Sequence, residues 1–237
     1  MPLVPDVSIV IPVHNEEPIL HAAVVDLRER LENAPYTWEL VLAENGSTDA
    51  TVRAAQALAE KYPNISICSL PSPNYGAALR TGLLLARGEF VICDEIDLCD
   101  VDFHQKALEL LRSSDIDMVV GSKLLSGASD ERPMLRHAAS QLYSALLRWI
   151  LDFQGTDTHG LKALRRSTLL PIVESCIVDR DVFASELVIR AERAKLKVVE
   201  IPIRVLEKRP PTINLVKRVP RVLSAVVRLT LALRAKP

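Results

Sequence analysis

Four short apolar runs alternate with helix-spaced stretches across the first hundred residues, and this alternation constrains the chain more than any other feature. The runs are Val7-Ser8-Ile9-Val10-Ile11, Glu39 to Ala43, Ile65 to Leu70 and Phe90 to Cys93. Each is too short for a buried helix and lacks the strict polar alternation of a one-sided sheet, so each reads as a strand buried on both faces. Between the first two, Ile19, Leu20, Ala23, Val24 and Leu27 recur at helical spacing. Further helices are predicted up to Ala59 and over Ala77 to Ala86, with Gly88 as a stop. Strand–helix alternation at this interval predicts an α/β fold, a mostly parallel central sheet flanked by helices. Ligands of such sheets sit beyond the carboxyl ends of the strands. The loops there begin at Pro12, Glu44, Pro71 and Asp94, and they hold most of the polar residues of chemical interest.

The second half continues with a helix over Asp102 to Arg112 and a strand from Met118 to Val120, ending at Gly121-Ser122-Lys123. Ser126 to Pro133 reads as a mobile polar loop, Arg136 to Leu151 as a long amphipathic helix and Phe153 to Gly160 as a loop. Arg165-Arg166 reads as a solvent-facing helix start. A helix from Ser185 to Lys195 precedes a strand over Val198 to Val205. The 237 residues, 49% of them hydrophobic, suit one domain over 1–211 and a C-terminal amphipathic helix over 212–237. Caps are expected at Asn15, at Ser47 or Thr48, and at Asp102 or Asp100.

Several function classes drop out. A net charge of −1 gives no general attraction to nucleic acid. No Gly-x-Gly-x-x-Gly follows the first strand, which disfavours a dinucleotide oxidoreductase, and no Gly-x-Ser-x-Gly elbow supports a hydrolase. The four cysteines lack metal-ligand spacing and read as reduced thiols of a cytosolic protein. No apolar run is long enough to span a bilayer. What remains is the acidic stretch Asp94-Glu95-Ile96-Asp97, directly after a buried strand. Carboxylates crowded at a sheet's carboxyl edge repel one another unless a cation intervenes, and a hard divalent ion takes oxygen ligands while keeping positions open for phosphate. Glu95 and Asp97, two apart in an extended segment, would point the same way.

These residues, with the motifs around them, resemble family 2 glycosyltransferases of the GT-A fold, in particular the dolichol-phosphate mannose synthase branch. Ile11-Pro12-Val13-His14-Asn15-Glu16-Glu17 is similar to the family's strand-Pro-Val-Tyr-Asn-Glu-Glu entry, and Glu44-Asn45-Gly46-Ser47-Thr48-Asp49 to its Asp-Asp-Gly-Ser-Thr-Asp nucleoside loop. Asn74-Tyr75-Gly76 and Gly82 to Gly88 match the next motif. Glu95-Ile96-Asp97-Leu98 stands in place of Asp-Ala-Asp-Leu, Val120-Gly121-Ser122-Lys123 of Val-Gly-Ser-Arg, and Thr158 to Ala163 of Thr-Ser-Gly-Phe-Arg-Ala. His14, Glu44, Glu95, Lys123 and Lys162 are conservative departures, and Cys99 replaces a Gln ligand.

The resemblance implies a nucleotide-sugar donor held by Pro12, Asn15, Glu16, Glu44, Glu95, Asp97 and Arg209, and Mg²⁺ or Mn²⁺ on Glu95 and Asp97. Asp97, Lys123 and Arg136 are the catalytic candidates, the last two for an acceptor phosphate. Asn15 has the alternative of a plain helix cap, His14 and Arg136 of exposed residues, and Asp49 of a charge at a helix N-terminus. Transfer with inversion to a polyprenyl phosphate follows from the same resemblance. Two helices support it. One carries Leu142, Leu146, Leu147, Trp149 and Ile150 with Phe153 just beyond, and the other Val219, Leu223, Val226, Val227 and Leu231 among arginines. Their alternative is burial in the core or a homodimer interface. A cytoplasmic protein, peripheral on a membrane's cytoplasmic face, fits the first reading. A soluble transferase with a small acceptor fits the second, and the Glu44, Glu95 and Cys99 replacements motivate a non-catalytic sugar-nucleotide binder.

Overall fold

The computed structural model describes residues 4–130, 134–178, 180, 182–205 and 215–235. The strands are β1 (Val7–Val13), β2 (Trp38–Asn45), β3 (Ile65–Leu70), β4 (Phe90–Cys93), β5 (Met118–Ser122), β6 (Ser129–Asp130), β7 (Lys162–Arg165), β8 (Val198–Pro202) and β9 (Arg204–Val205). The helices are α1 (Glu17–Arg30), α2 (Thr51–Lys61), α3 (Tyr75–Leu85), α4 (Val101–Ser113), α5 (Met134–Leu151), α6 (Arg166–Ser175), α7 (Phe183–Arg193) and α8 (Leu215–Ala235). Seven strands form one sheet in the order β3-β2-β1-β4-β7-β5-β8, and β6 pairs with β9 separately. All pairs of the large sheet are parallel except those of β7, which runs antiparallel to both β4 and β5.

Period-two alternation along β1 divides the core. Val7, Ile9, Ile11 and Val13 pack with Leu20, Val24 and Leu27 of α1 and Leu108 and Leu111 of α4. Val10 faces the other way, into a cluster with Leu79 and Leu83 of α3 and Leu187 of α7. Each fully buried aliphatic side chain contributes about 1.5–3 kcal/mol relative to exposure, and two filled faces explain why these strands read as nearly continuous apolar runs.

Pro12 lies inside β1 rather than ending it, paired with Ala43 of β2. On its other side β4 stops at Cys93, opposite Val10, and Asp94 N–H to Val10 O at 3.0 Å is the last rung. The next rung of a parallel ladder would need an N–H from Pro12, which proline lacks. The acidic stretch therefore leaves the sheet there.

Several local expectations are corrected. α1 is capped at Glu16 with no side-chain bond; Asn15 is in the left-handed region, φ 54°, and binds the second loop instead. α2 starts at Thr51, where Asp49 Oδ1 accepts the Thr51 N–H at 2.9 Å, so neither Ser47 nor Thr48 caps it. Asp100, not Asp102, caps α4, accepting the Phe103 N–H at 3.0 Å. Ser126 to Pro133 is not all loop, because Ser129–Asp130 pairs with β9. The arginines at the start of α6 are half-buried, not solvent-facing: Arg165 bonds Leu111 O at 2.5 Å and Arg166 bonds Ala86 O at 2.7 Å.

β7 is a strand that the sequence pattern does not announce. Its four residues, Lys-Ala-Leu-Arg, carry too little periodicity to separate them from the helix that follows. α8 joins the main core through Ala225, Val226, Leu229 and Leu233, and packs against α5 and α7. Arg209 and its neighbour Lys208 lie outside the described residues.

Candidate active site

The loops after β1 and β2 are stitched together. Asn15 N–H donates to Ser47 Oγ at 3.0 Å, and Asn15 Oδ1 accepts the Thr48 N–H at 2.8 Å. Glu16 N–H donates to Thr51 Oγ1 at 2.8 Å. His14 Nδ1–H donates to Asn45 O at 2.8 Å, which fixes an exposed ring at the loop tip. Gly46 allows the third loop to close in: its φ is +61°, and a Cβ there would stand 2.4 Å from Ser72 C. Asn45 Oδ1 accepts the Asn74 N–H, and Asn74 caps α3.

Glu44 lies beneath these loops, 1% exposed. Its carboxylate accepts the Ser47 N–H at 2.5 Å and the Ser69 hydroxyl. Burial alone would raise its pKa, but the bonds from Ser69 and Ser47 outweigh burial and hold it below the usual value. Glu44 thus shapes the loop, and a contact to a base would use lone pairs left over from those two bonds.

Glu95, Asp97, Lys123, Asp157 and Lys162 come together at the carboxyl edge of β4 and β5. The acidic segment is a turn over residues 96–98, not extended as expected. Leu98 and Cys99 N–H both reach Glu95 O at 3.0 Å. Ile96 is buried beneath it while Glu95 stays exposed and Asp97 half-buried, so the two carboxylates share the accessible side through the turn. Cys99 is buried and its Sγ approaches Ile96 O at 3.6 Å.

Lys123 Nζ pairs with Asp157 Oδ2 at 2.5 Å. Desolvation opposes the Asp157 charge, yet Lys123 lowers its pKa overall. Lys162, 2% exposed, sends Nζ to Gly160 O at 2.7 Å. Burial lowers its pKa, against the pull of Cys93, Asp157 and Glu95. The loop bearing Asp157 is held by Glu200, which accepts the Thr156 and Asp157 N–H groups at 2.7 and 2.9 Å. It presses on β5 so closely that a Cβ on Gly160 would fall 1.6 Å from Gly121 O.

Burial first, and then repulsion from Asp97, push Glu95 up to about 7. The Glu95 side chain is itself exposed, so solvent screens part of this effect, and Tyr75 stands near it at the same recess of the sheet edge. The phenol of Tyr75 is driven well above its usual range by desolvation and then by the Glu95 charge. Among the described residues, neither Glu95 nor Asp97 is held by a hydrogen bond or ion pair from another side chain. Among the described residues no third His, Cys, Asp or Glu completes a metal cluster there. Two unsatisfied hard-oxygen carboxylates, one of them costly to ionise, fit a divalent cation that draws its other ligands from phosphate and water.

A pH effect follows. Glu95 binds its proton more tightly in the folded chain than in the unfolded one, so ionising it costs stability as pH rises from the ordinary carboxylate range through 7. In thermal melts with chelator, the parent protein is expected to lose stability relative to Glu95→Gln as pH rises from 5 to 8. A difference that stays constant with pH would contradict the assignment.

Of the residues expected from sequence, Glu95, Asp97 and Lys123 meet in this recess. Pro12, Asn15, Glu16 and Glu44 belong to the adjoining first two loops. Arg136 stands half-buried in the first turn of α5, and Arg209 lies outside the described residues. Sequence reasoning leaves Asp157 out of the site. It also marks Lys162 only as a retained charge, since nothing local identifies either as a neighbour of β4.

Comparison with known proteins agrees with this architecture. A family model described as Glycosyl transferase family 2 matches residues 8–170. The chain is 29% identical over 213 residues to the dolichyl-phosphate beta-glucosyltransferase ALG5D of Trichomonas vaginalis, covering 83% of this chain and 64% of that protein. It is 27% identical to the glycosyltransferase AglD of Haloferax volcanii, covering 98% of this chain and 38% of that one. It thus spans less than two-thirds of the length of these relatives. Among solved structures, glucosyl-3-phosphoglycerate synthase from Mycobacterium tuberculosis, in complex with phosphoglyceric acid, superposes with a TM-score of 0.67 at 22% identity, over 95% of this chain and 80% of that one. The same enzyme in complex with Mn²⁺, uridine diphosphate and phosphoglyceric acid gives 0.66 at 20% identity, over 95% and 78%. With the family model matched over residues 8–170, more than half of its length, on this sheet, the chain belongs to glycosyl transferase family 2.

Proposed function

We propose that this chain transfers a sugar, with inversion, from a uridine or guanosine diphosphate sugar to a polyprenyl phosphate. The observation that carries the reading is the meeting of Glu95 and Asp97 with Lys123 and Lys162 in one recess beside the first two loops. A phosphate oxygen of the acceptor forms the new bond to the anomeric carbon, while the bond from that carbon to the diphosphate breaks and its electron pair leaves with the diphosphate. A phosphate monoester is already largely ionised near neutral pH, so no strong general base is required, and catalysis rests on positioning and charge. Mg²⁺ or Mn²⁺ held by Glu95 and Asp97 would supply charge neutralisation of the leaving group. Lys123 and Lys162 bring positive charge to the same recess, with Asp157 orienting Lys123. Arg136, in the first turn of α5, is assigned to the acceptor phosphate, and Arg209 to the donor diphosphate on the family resemblance.

Two helices favour a lipid acceptor. Neither α5 nor α8 contains an Asp or Glu, while α8 has five Lys or Arg. Each sends part of its apolar set inward, and leaves Leu142 (72%), Trp149 (84%), Leu223, Val227 and Leu231 exposed. Arg148, Arg228 and Arg234 are exposed on the same helices. Apolar side chains beside unopposed cations suit the interface of an anionic bilayer. Among the described residues no helix is long and apolar enough to cross a membrane. The fold shared with an enzyme crystallised with phosphoglyceric acid favours a second reading, a soluble phosphorylated acceptor.

The test pairs radiolabelled donors and Mn²⁺ with polyprenyl phosphate in vesicles or with 3-phosphoglycerate in solution. Label is expected in the lipid phase. Label only in the aqueous product would replace the lipid reading with the soluble one. In flotation, vesicles containing phosphatidylserine are expected to carry the protein. Replacing Leu142 and Trp149 by Ser is expected to cut that fraction several-fold, and equal flotation of the variant would remove these helices from the docking surface.

A further inference from the structure

We infer that Asp94 and His104 form a buried positioning pair that sets the shape of the cation-binding turn. The inference rests on the proposed role of Glu95 and Asp97 and assigns work to two residues that do not touch the ligand themselves.

Asp94 follows β4 directly, and its side chain is fully buried. Three donors converge on it. Oδ1 accepts the Glu95 N–H at 2.7 Å, and Oδ2 accepts the Asp100 N–H at 3.0 Å and the His104 Nε2–H at 2.6 Å. One carboxylate therefore grips both ends of the segment 95–100, which contains Glu95 and Asp97. Asp100 is also the cap of α4, so the same grip ties the turn to the helix that carries His104. The turn needs such a hold, because Pro12 has released it from the sheet and Cys99 within it takes a left-handed φ of 45°, an unfavourable conformation for a side-chain-bearing residue.

His104 is itself fully buried. Its Nδ1 finds no hydrogen-bond partner among the described residues, so the bond to Asp94 fixes the polar end of the packed ring, with the proton on Nε2. A third carboxylate next to Glu95 and Asp97 adds repulsion, and a packed apolar pair would fill the space at less electrostatic cost. What an apolar pair cannot do is accept two backbone N–H groups at fixed points of the turn. Partners of this kind behind metal-binding residues typically change metal affinity by about 10–100-fold when removed.

Mn²⁺ binding measured by electron paramagnetic resonance, with UDP and separately with GDP, tests this without turnover. His104→Ala is expected to bind Mn²⁺ about tenfold more weakly than the parent protein. His104→Gln, whose amide N–H can reach Asp94, is expected to recover most of the loss. Leu111→Ala, a core truncation on the same helix, is expected to lower the melting temperature and leave Mn²⁺ affinity unchanged. Parent-like affinity in His104→Ala, or a loss of affinity in Leu111→Ala as large as in His104→Ala, overturns the pairing. If His104→Ala does not fold, Asp94→Asn decides: weaker Mn²⁺ binding supports the inference and parent-like binding overturns it. A parent protein that binds no Mn²⁺ with either nucleotide removes the cation reading, and this inference falls with it. A parent that binds, beside variants that bind equally, removes the positioning pair alone.

Discussion

Asp97→Ala is expected to lower metal-dependent sugar transfer by about a thousandfold while melting within a few degrees of the parent protein. Charge neutralisation by a divalent ion contributes several kcal/mol to a departing diphosphate, and about 4 kcal/mol corresponds to three powers of ten. Stability should change little for a local reason. Asp97 is half-buried at an accessible turn, no hydrogen bond among the described residues depends on its carboxylate, and its charge raises the ionisation cost of Glu95. Removing it relieves repulsion in the metal-free protein. Initial rates over a range of Mn²⁺ concentrations, with melts in chelator, make the comparison. Full activity in Asp97→Ala would take the cation out of the reaction.

Glu39→Gln is expected to act the other way, costing about 2–3 kcal/mol of stability and leaving the donor affinity of the folded fraction intact. Glu39 lies on β2 at the opposite edge of the sheet from the recess. Its carboxylate accepts Ser8 Oγ at 2.6 Å, Arg87 N–H at 2.8 Å, and Arg87 Nε and Nη2 at 2.8 and 2.5 Å. Ser8 Oγ in turn accepts the Gly88 N–H at 2.8 Å. One side chain thus ties β1, β2 and the turn before β4. Breaking a buried pair from one side costs about 3–5 kcal/mol. The loss here falls at or below the bottom of that range because the Arg87 side chain is 52% exposed and can return to water. Against a total of about 5–15 kcal/mol for a domain, this loss is large, and urea titration reads it directly.

The pH dependence has a definite sign. Burial opposes the Glu39 charge, but the bonds from Arg87 and Ser8 prevail and depress its pKa. Its contribution is present above the ordinary carboxylate range and disappears as pH falls through the depressed value. The gap between parent and Glu39→Gln should therefore narrow on acidification. A constant gap would assign the loss to packing rather than to charge.

The fold was largely legible because its strands are buried on both faces. Ile65–Leu70 and Phe90–Cys93 could be read to the residue, since each apolar run is bounded by turn-forming or acidic residues and is too short to make a buried helix. The grouping of Glu95 and Asp97 was proposed from the wrong local geometry. A turn, not an extended segment, brings their carboxylates to one side. Caps were misassigned at Asn15 and Asp102 because several eligible side chains cluster at each helix start, and only the surrounding loops decide which one turns inward.

The order of apolar runs and polar loops by itself determined the α/β class and the edge of the sheet where the polar loops gather, and it singled out the two carboxylates proposed for the cation. Those are properties of local period and spacing, which a chain carries in one dimension. The tertiary structure alone decided that β7 would enter antiparallel between β4 and β5, bringing Lys162 near Glu95 and the preceding loop's Asp157 onto Lys123, and that Asp94 would find His104. Pairings across the sheet and into the next helix depend on which surfaces meet, and no periodicity within a single segment records that.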